Sequence, residues 1–165
     1  MAKASDIPGL TAELPFRDAA ARTVQARARE LFDASGDVLD TGDIERVHDM
    51  RVATRRLRAV LEIYAPCFPA DELEVVLRDV KALADALGAR RDPDVLLDRL
   101  AGLEEVLPKA ARPGLEAFAD RLRAEQARGN EVLAQALARA AEDDLEGRLR
   151  VLVEHAAPPA GAAAA

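Results

Sequence analysis

From position 47 the chain reads Val47-His48-Asp49-Met50-Arg51-Val52-Ala53-Thr54-Arg55-Arg56-Leu57-Arg58. Wound as a helix at about 100° per residue, His48, Arg51, Arg55 and Arg58 share an arc of about 80°. Met50, Ala53, Leu57, Val60, Leu61 and Tyr64 gather on the opposite side, and Arg56 falls on the flank. Cations stacked three and four residues apart repel one another by a few tenths of a kcal/mol per pair, ~0.2–0.5. Acidic partners at that spacing are read as absent from this face, so an anion lying along it would offset the cost. Arginine suits phosphate because its planar fork can donate two hydrogen bonds to one group. A histidine in the same row can donate to a phosphate oxygen as well. The plainer reading is a solvated face, or one paired with acids of a neighbouring helix; spacing alone leaves both open.

The charge around this segment is uneven. Residues 46 to 58 hold five arginines and one acid, Asp49, a local +4 in a chain of net charge −7, so the remainder carries −11. A general nucleic-acid binder draws its affinity from an overall basic surface. One basic patch on an acidic body points instead to a particular polyanion and argues against nucleic acid. Phe16, Phe32, Tyr64, Phe68 and Phe118 are the only aromatic residues, a poor supply for stacking bases.

Enzyme classes find little support. No Gly-rich phosphate loop and no Gly-x-Ser-x-Gly elbow occurs. Two histidines and one cysteine are few for a catalytic metal site. His48 is read as lacking ligand partners of its own, with Asp49 directed elsewhere on the helix, so neither metal nor cofactor is expected. Cys67 alone can form no internal disulfide, which fits a reducing cytoplasm. The N-terminal MAKASDIPGL lacks a signal-peptide core, and nothing approaches the ~20 apolar residues of a membrane span. A cytoplasmic location without membrane contact is the expectation.

The elements that must position the basic row are helical throughout. Ala, Leu, Arg and Glu dominate, all good helix formers, and no alternating β-branched run suggests a sheet. A first helix is expected over 15–34, opened by Pro15, with Phe16, Ala20, Val24, Arg27 and Leu31 on one stripe. The second spans 44–64, capped by Thr41 or Asp43 and ended before Pro66. A third covers 71–87, with Leu73, Val76, Leu77, Val80, Leu83, Ala84 and Leu87 in a narrow arc and Gly88 as its terminator. Asp92-Pro93 then reads as cap and first helical position of a fourth helix through 106. A fifth begins near Gly114, with Leu115, Phe118, Leu122, Leu133 and Leu137 apolar. A break at 142–144 precedes a last stretch, 145–155. Short connections imply an all-α, up-and-down antiparallel bundle of about four to six helices. Residues 1–14 read as an N-terminal extension, and the low-complexity tail 156–165 as disordered. If the second and third helices are neighbours, Lys81 joins the row that starts at His48. Arg91 stands beside Asp92 at the third helix's exit.

His48-x-x-Arg51-Val52-x-x-Arg55-Arg56-Leu57-Arg58, followed by Leu87-Gly88-x-x-Arg91-Asp92-x-Asp94-Val95, resembles the CHAD domain, a family of histidine-bearing α-helical domains. The resemblance joins two motifs at the family's separation and covers about residues 44 to 107. It implies an all-helical, non-catalytic module that binds inorganic polyphosphate and associates with polyphosphate granules. Residue by residue, it carries a binding role over to His48, Arg51, Arg55 and Arg58, and extends to Arg56 and Lys81. Arg91 matches the second motif's arginine, with contact to ligand and internal pairing both open. Family members usually carry two similar halves around a basic channel, whereas this chain has one motif helix. The expectation is therefore that two copies form a homodimer through a two-fold axis. A helical scaffold for protein contacts is the alternative, with another phosphate polyanion such as nucleic acid behind it.

Overall fold

The computed structural model describes residues 4–104 and 106–157. Among the described residues five α-helices carry the fold: α1 (Phe16–Asp33), α2 (Ile44–Ile63), α3 (Ala70–Glu104), α4 (Arg112–Glu142) and α5 (Leu145–Glu154). Short 3-10 turns at Ala65–Cys67 and Lys109–Ala111 join α2 to α3 and α3 to α4. No strand occurs among the described residues, as the absence of alternating β-branched runs implied.

Local chemistry sets several boundaries where the sequence placed them. Pro15 precedes the first residue of α1. Asp43 caps α2, its side chain accepting from the Glu45 amide at 3.1 Å, which settles the choice between Thr41 and Asp43. Asp144 does the same for α5 through the Gly147 amide, also at 3.1 Å.

The apolar stripes meet in one core. Ala20, Val24 and Leu31 of α1 are buried against Met50, Leu57 and Leu61 of α2 and Val76, Val80, Leu83 and Leu87 of α3. Leu133 of α4 and Leu145, Leu149 and Leu152 of α5 close it. Two stripe members depart from expectation: Phe16 and Phe118 stay about half exposed, and Phe16 instead tilts onto the Tyr64 ring with centroids 5.1 Å apart. Consecutive helices pack on one another, and α5 returns to α1. The pairing is antiparallel at both major seams. Arg91 of α3 lies by Ile44 at the start of α2, while Lys81 lies by Glu62 at its end. Likewise Asp94 meets Gln126, and Arg90 meets Asn130, across α3 and α4.

The largest correction concerns residues 88 to 93. Gly88 does not end a helix, and Asp92-Pro93 does not begin one: α3 runs unbroken through all of them, and Asp92 is exposed within it. Proline in a helix forgoes the donor that would satisfy the carbonyl four residues back, here Ala89. The α4 surface makes the interruption tolerable. Gly129 has no side chain, which lets α4 approach so closely that a Cβ there would stand 2.8 Å from the Ala89 oxygen and 3.0 Å from Arg90 Cα. Beside it, Arg90 and Asp94 form a fully buried ion pair. Asn130 accepts from Arg90 Nε at 3.1 Å, and Gln126 donates to Asp94 at 2.6 Å. Burying both charges with these partners is compatible with the low dielectric of the interior, and it locks α3 to α4 on both sides of Pro93. Asn130 also donates to the Leu39 carbonyl at 3.0 Å, tying the α1–α2 connection to the same cluster.

The N-terminal extension is strapped to α1. The Ser5 amide donates to Glu30 at 2.6 Å, and Arg27 reaches the Ser5 carbonyl at 3.2 Å while pairing with Glu30. At the other end, Ala156 packs against the core and the Ala157 amide donates to Cys67 at 2.8 Å. The rest of the segment read as a disordered tail, from Pro158 on, lies outside the described residues.

Candidate polyanion-binding face

Burial of Val47, Met50, Ala53, Leu57 and Leu61 fixes the rotation of α2. Thr54 shares that buried side, its hydroxyl donating to the Met50 carbonyl at 2.8 Å. With the apolar side turned inward, Arg51, Arg55 and Arg58 are exposed in a row and His48 is half-buried at its start. From His48 to Glu62 the row extends about 21 Å at 1.5 Å per residue.

Helix α3 forms the other wall. Arg51 reaches across to Gly88: a Cβ at that position would lie 3.0 Å from Arg51 Nη1. Seven residues further along α2, and seven back along α3, Arg58 and Lys81 converge on Glu62. Arg58 Nε donates to Glu62 at 2.9 Å, and Lys81 Nζ stands 3.9 Å from the same oxygen. Lys81 therefore does join the row. Neither Arg51 nor Arg55 has a hydrogen-bond or ion-pair partner among the described residues.

Two expected members stand apart. Arg91 pairs internally: Nη1 donates to the Ile44 carbonyl at 2.9 Å, and Nη2 lies 3.6 Å from Glu45. It pins the N-terminus of α2 to α3. Arg56 faces the opposite flank, lining a hollow of about 400 Å³ between α1 and α2 with Asp33, Arg46 and Asp49, where it has partners of its own. Arg46, already off the row by its spacing, is held 3.2 Å from both Asp43 and Asp37.

Three sequence readings need correction here. Acids are not absent from the face, since Glu62 sits four residues past Arg58 on the same side. His48 does have potential ligand neighbours: donor atoms of Glu45, His48 and Asp49 all lie within 4.8 Å of one another. Asp49 at the same time lines the hollow on the flank of Arg56, away from the row. Gly88, read as a stop, gives Arg51 room to cross α3. The Arg58 and Glu62 spacing of four residues was visible in the sequence, whereas the Arg51–Gly88 approach joins residues on two helices and left no local signal.

Elsewhere the chemistry is quiet. Cys67 is buried, and burial pushes its thiol pKa up, which suits a core residue. No helix among the described residues is long and apolar enough to cross a membrane.

Two uncharacterized proteins of Mycobacterium tuberculosis, Rv2226 of strain H37Rv and MT2285 of strain CDC 1551 / Oshkosh, are 38% and 36% identical over 69 residues. The match takes in 41% of this chain and 14% of each relative, so the chain corresponds to a small part of those proteins' length. The model of the CHAD domain matches residues 13–165, nearly the whole sequence. With a match over that much of its length, the chain belongs to the CHAD domain family.

Proposed function

We propose that this chain is a non-catalytic module that binds inorganic polyphosphate along the face shared by α2 and α3. CHAD domains are binding modules linked to polyphosphate and triphosphate, and the carrying observation is the open pair Arg51 and Arg55. Two guanidinium groups without protein partners among the described residues stand one helical turn apart on an exposed surface. A phosphate polymer has charges at every unit and no bases, so such a row engages it by charge and spacing alone. His48 flanks the pair on one side, and Arg58 with Lys81 on the other. Association with polyphosphate granules follows as a consequence of the same affinity. Pairing of two copies through a two-fold axis would double the basic surface and belongs to the same proposal.

The test is titration of the folded protein with long-chain polyphosphate across a salt series, with molecular mass recorded in the same runs. Affinity should fall steeply with salt as counterions are released. The Arg51/Arg55/Arg58 triple alanine variant should lose most of the binding and reduce the salt slope by about 3. Failure of the wild-type protein to bind would favour a helical scaffold. RNA that displaces polyphosphate, rather than the reverse, would favour nucleic acid.

A further inference from the structure

Glu62 occupies an odd place on a face that otherwise collects cations. Its carboxylate accepts from Arg58 Nε at 2.9 Å and lies 3.9 Å from Lys81 Nζ, so one acid bridges α2 and α3. The three side chains are each a little under half exposed, 45% for Arg58 and Glu62 and 47% for Lys81, so water and a dissolved anion can reach all of them. About two and three turns before Glu62, Arg55 and Arg51 carry no such neighbour among the described residues. The face is therefore divided into an open half and a half already holding an anion of the protein's own.

We infer that Glu62 is a built-in competitor, occupying Arg58 and Lys81 until a denser anion displaces it. This rests on the polyphosphate reading of the same face. An exposed carboxylate–cation pair is weak and exchanges readily. A short anion held at Arg51 and Arg55 has no need to displace Glu62. A long phosphate chain anchored at the open half presents further phosphates to Arg58 and Lys81 at high effective concentration, and displaces the carboxylate without a second encounter. Glu62 thus lowers the affinity of a chain long enough to reach Arg58 and Lys81, and leaves a short anion held at Arg51 and Arg55 nearly untouched.

The experiment compares the full chain with Glu62→Gln and Glu131→Gln, titrated with tripolyphosphate and with long-chain polyphosphate at one salt concentration. Glu131 is exposed on α4 and forms no ion pair among the described residues, so its change alters net charge equally without freeing a cation. Circular dichroism and thermal midpoints establish folding. The expected result is that Glu62→Gln binds long-chain polyphosphate about two- to fivefold tighter. Tripolyphosphate, held at the open half, should gain less, and Glu131→Gln should move either ligand by less than about twofold. In an Arg58→Ala/Lys81→Ala background, Glu62→Gln should bring no gain. Equal effects of Glu62→Gln and Glu131→Gln, with wild-type protein binding the polymer, overturn the inference alone. Weaker binding by Glu62→Gln also overturns it and makes Glu62 a splint that aims Arg58 and Lys81. No binding by the folded wild-type protein overturns the polyphosphate reading and the inference together.

Discussion

Arg55 and Arg46 belong to one helix and differ in what their environment has already done with the charge. Arg46 is held by Asp43 and Asp37, whereas Arg55 is exposed and without a partner among the described residues. Arg55→Ala should weaken polyphosphate binding about tenfold, ~1.4 kcal/mol, with little change in stability. Arg46→Ala should change binding less than about twofold and cost folding stability at most ~1 kcal/mol, the range of exposed ion pairs. Isothermal titration and urea unfolding of the two variants check both halves, and equal binding losses would refute the assignment of the row. Half of this contrast was legible in the sequence, because the spacing already turned Arg46 away from His48. Which acids hold Arg46, and that Glu62 holds Arg58, depended on rotamers and on where neighbouring backbone lies.

At the scale of elements, α3 is the piece that sequence rules divide and the fold keeps whole. Gly88 sits in its interior beneath Arg51, where a glycine costs about 0.5–1 kcal/mol relative to alanine. Gly88→Ala should therefore raise stability by about that amount. It should also push Arg51 off α3 and weaken polyphosphate binding a few-fold, ~2–5, a trade that thermal unfolding and titration of one sample would expose. Gly129→Ala should behave oppositely. Its Cβ would meet backbone atoms of Ala89 and Arg90, which cannot yield as a side-chain tip can, so a loss of about 1–3 kcal/mol is expected. Asp94→Ala leaves Arg90 buried without its counter-charge and should cost about 3–5 kcal/mol. Urea midpoints measure both losses, and a neutral result at Asp94 would show that the pair contributes nothing to holding α3 against α4.

For the molecule as a whole, the N-terminal strap ties folding to acidity. Burial raises the Glu30 carboxyl pKa, but the Arg27 side chain and the Ser5 amide outweigh it, and the group ends below its ordinary value of 4.5. Its stabilising contribution is therefore complete above about pH 4.5 and is lost as pH falls through the lower folded value. Glu30→Gln should be less stable than wild type near neutrality, with the gap closing as pH drops below that point. Urea midpoints between pH 3 and 7 check this, and a gap that stays constant or widens in acid contradicts it. The half-exposed Phe118 and the buried Leu122, both on α4, show a related limit. They share one sequence stripe, yet only Leu122 is covered, because coverage depends on which helix lies opposite.

What the sequence by itself determined is the part written in local periodicity and side-chain type. The all-helical class, the apolar side of α2, the row His48, Arg51, Arg55 and Arg58, and the break before the last helix all follow from residues within a few turns of one another. The tertiary structure decided the rest. It kept α3 continuous through Pro93, because Gly129, Asn130 and Gln126 supply close packing and hydrogen bonds that a helix rule cannot anticipate. It turned Arg91 inward to the Ile44 carbonyl and Arg56 to the far flank. It brought Lys81 beside Glu62 and laid Arg51 over Gly88. Each of these joins residues far apart along the chain, and their energies depend on distances that only the packed bundle sets.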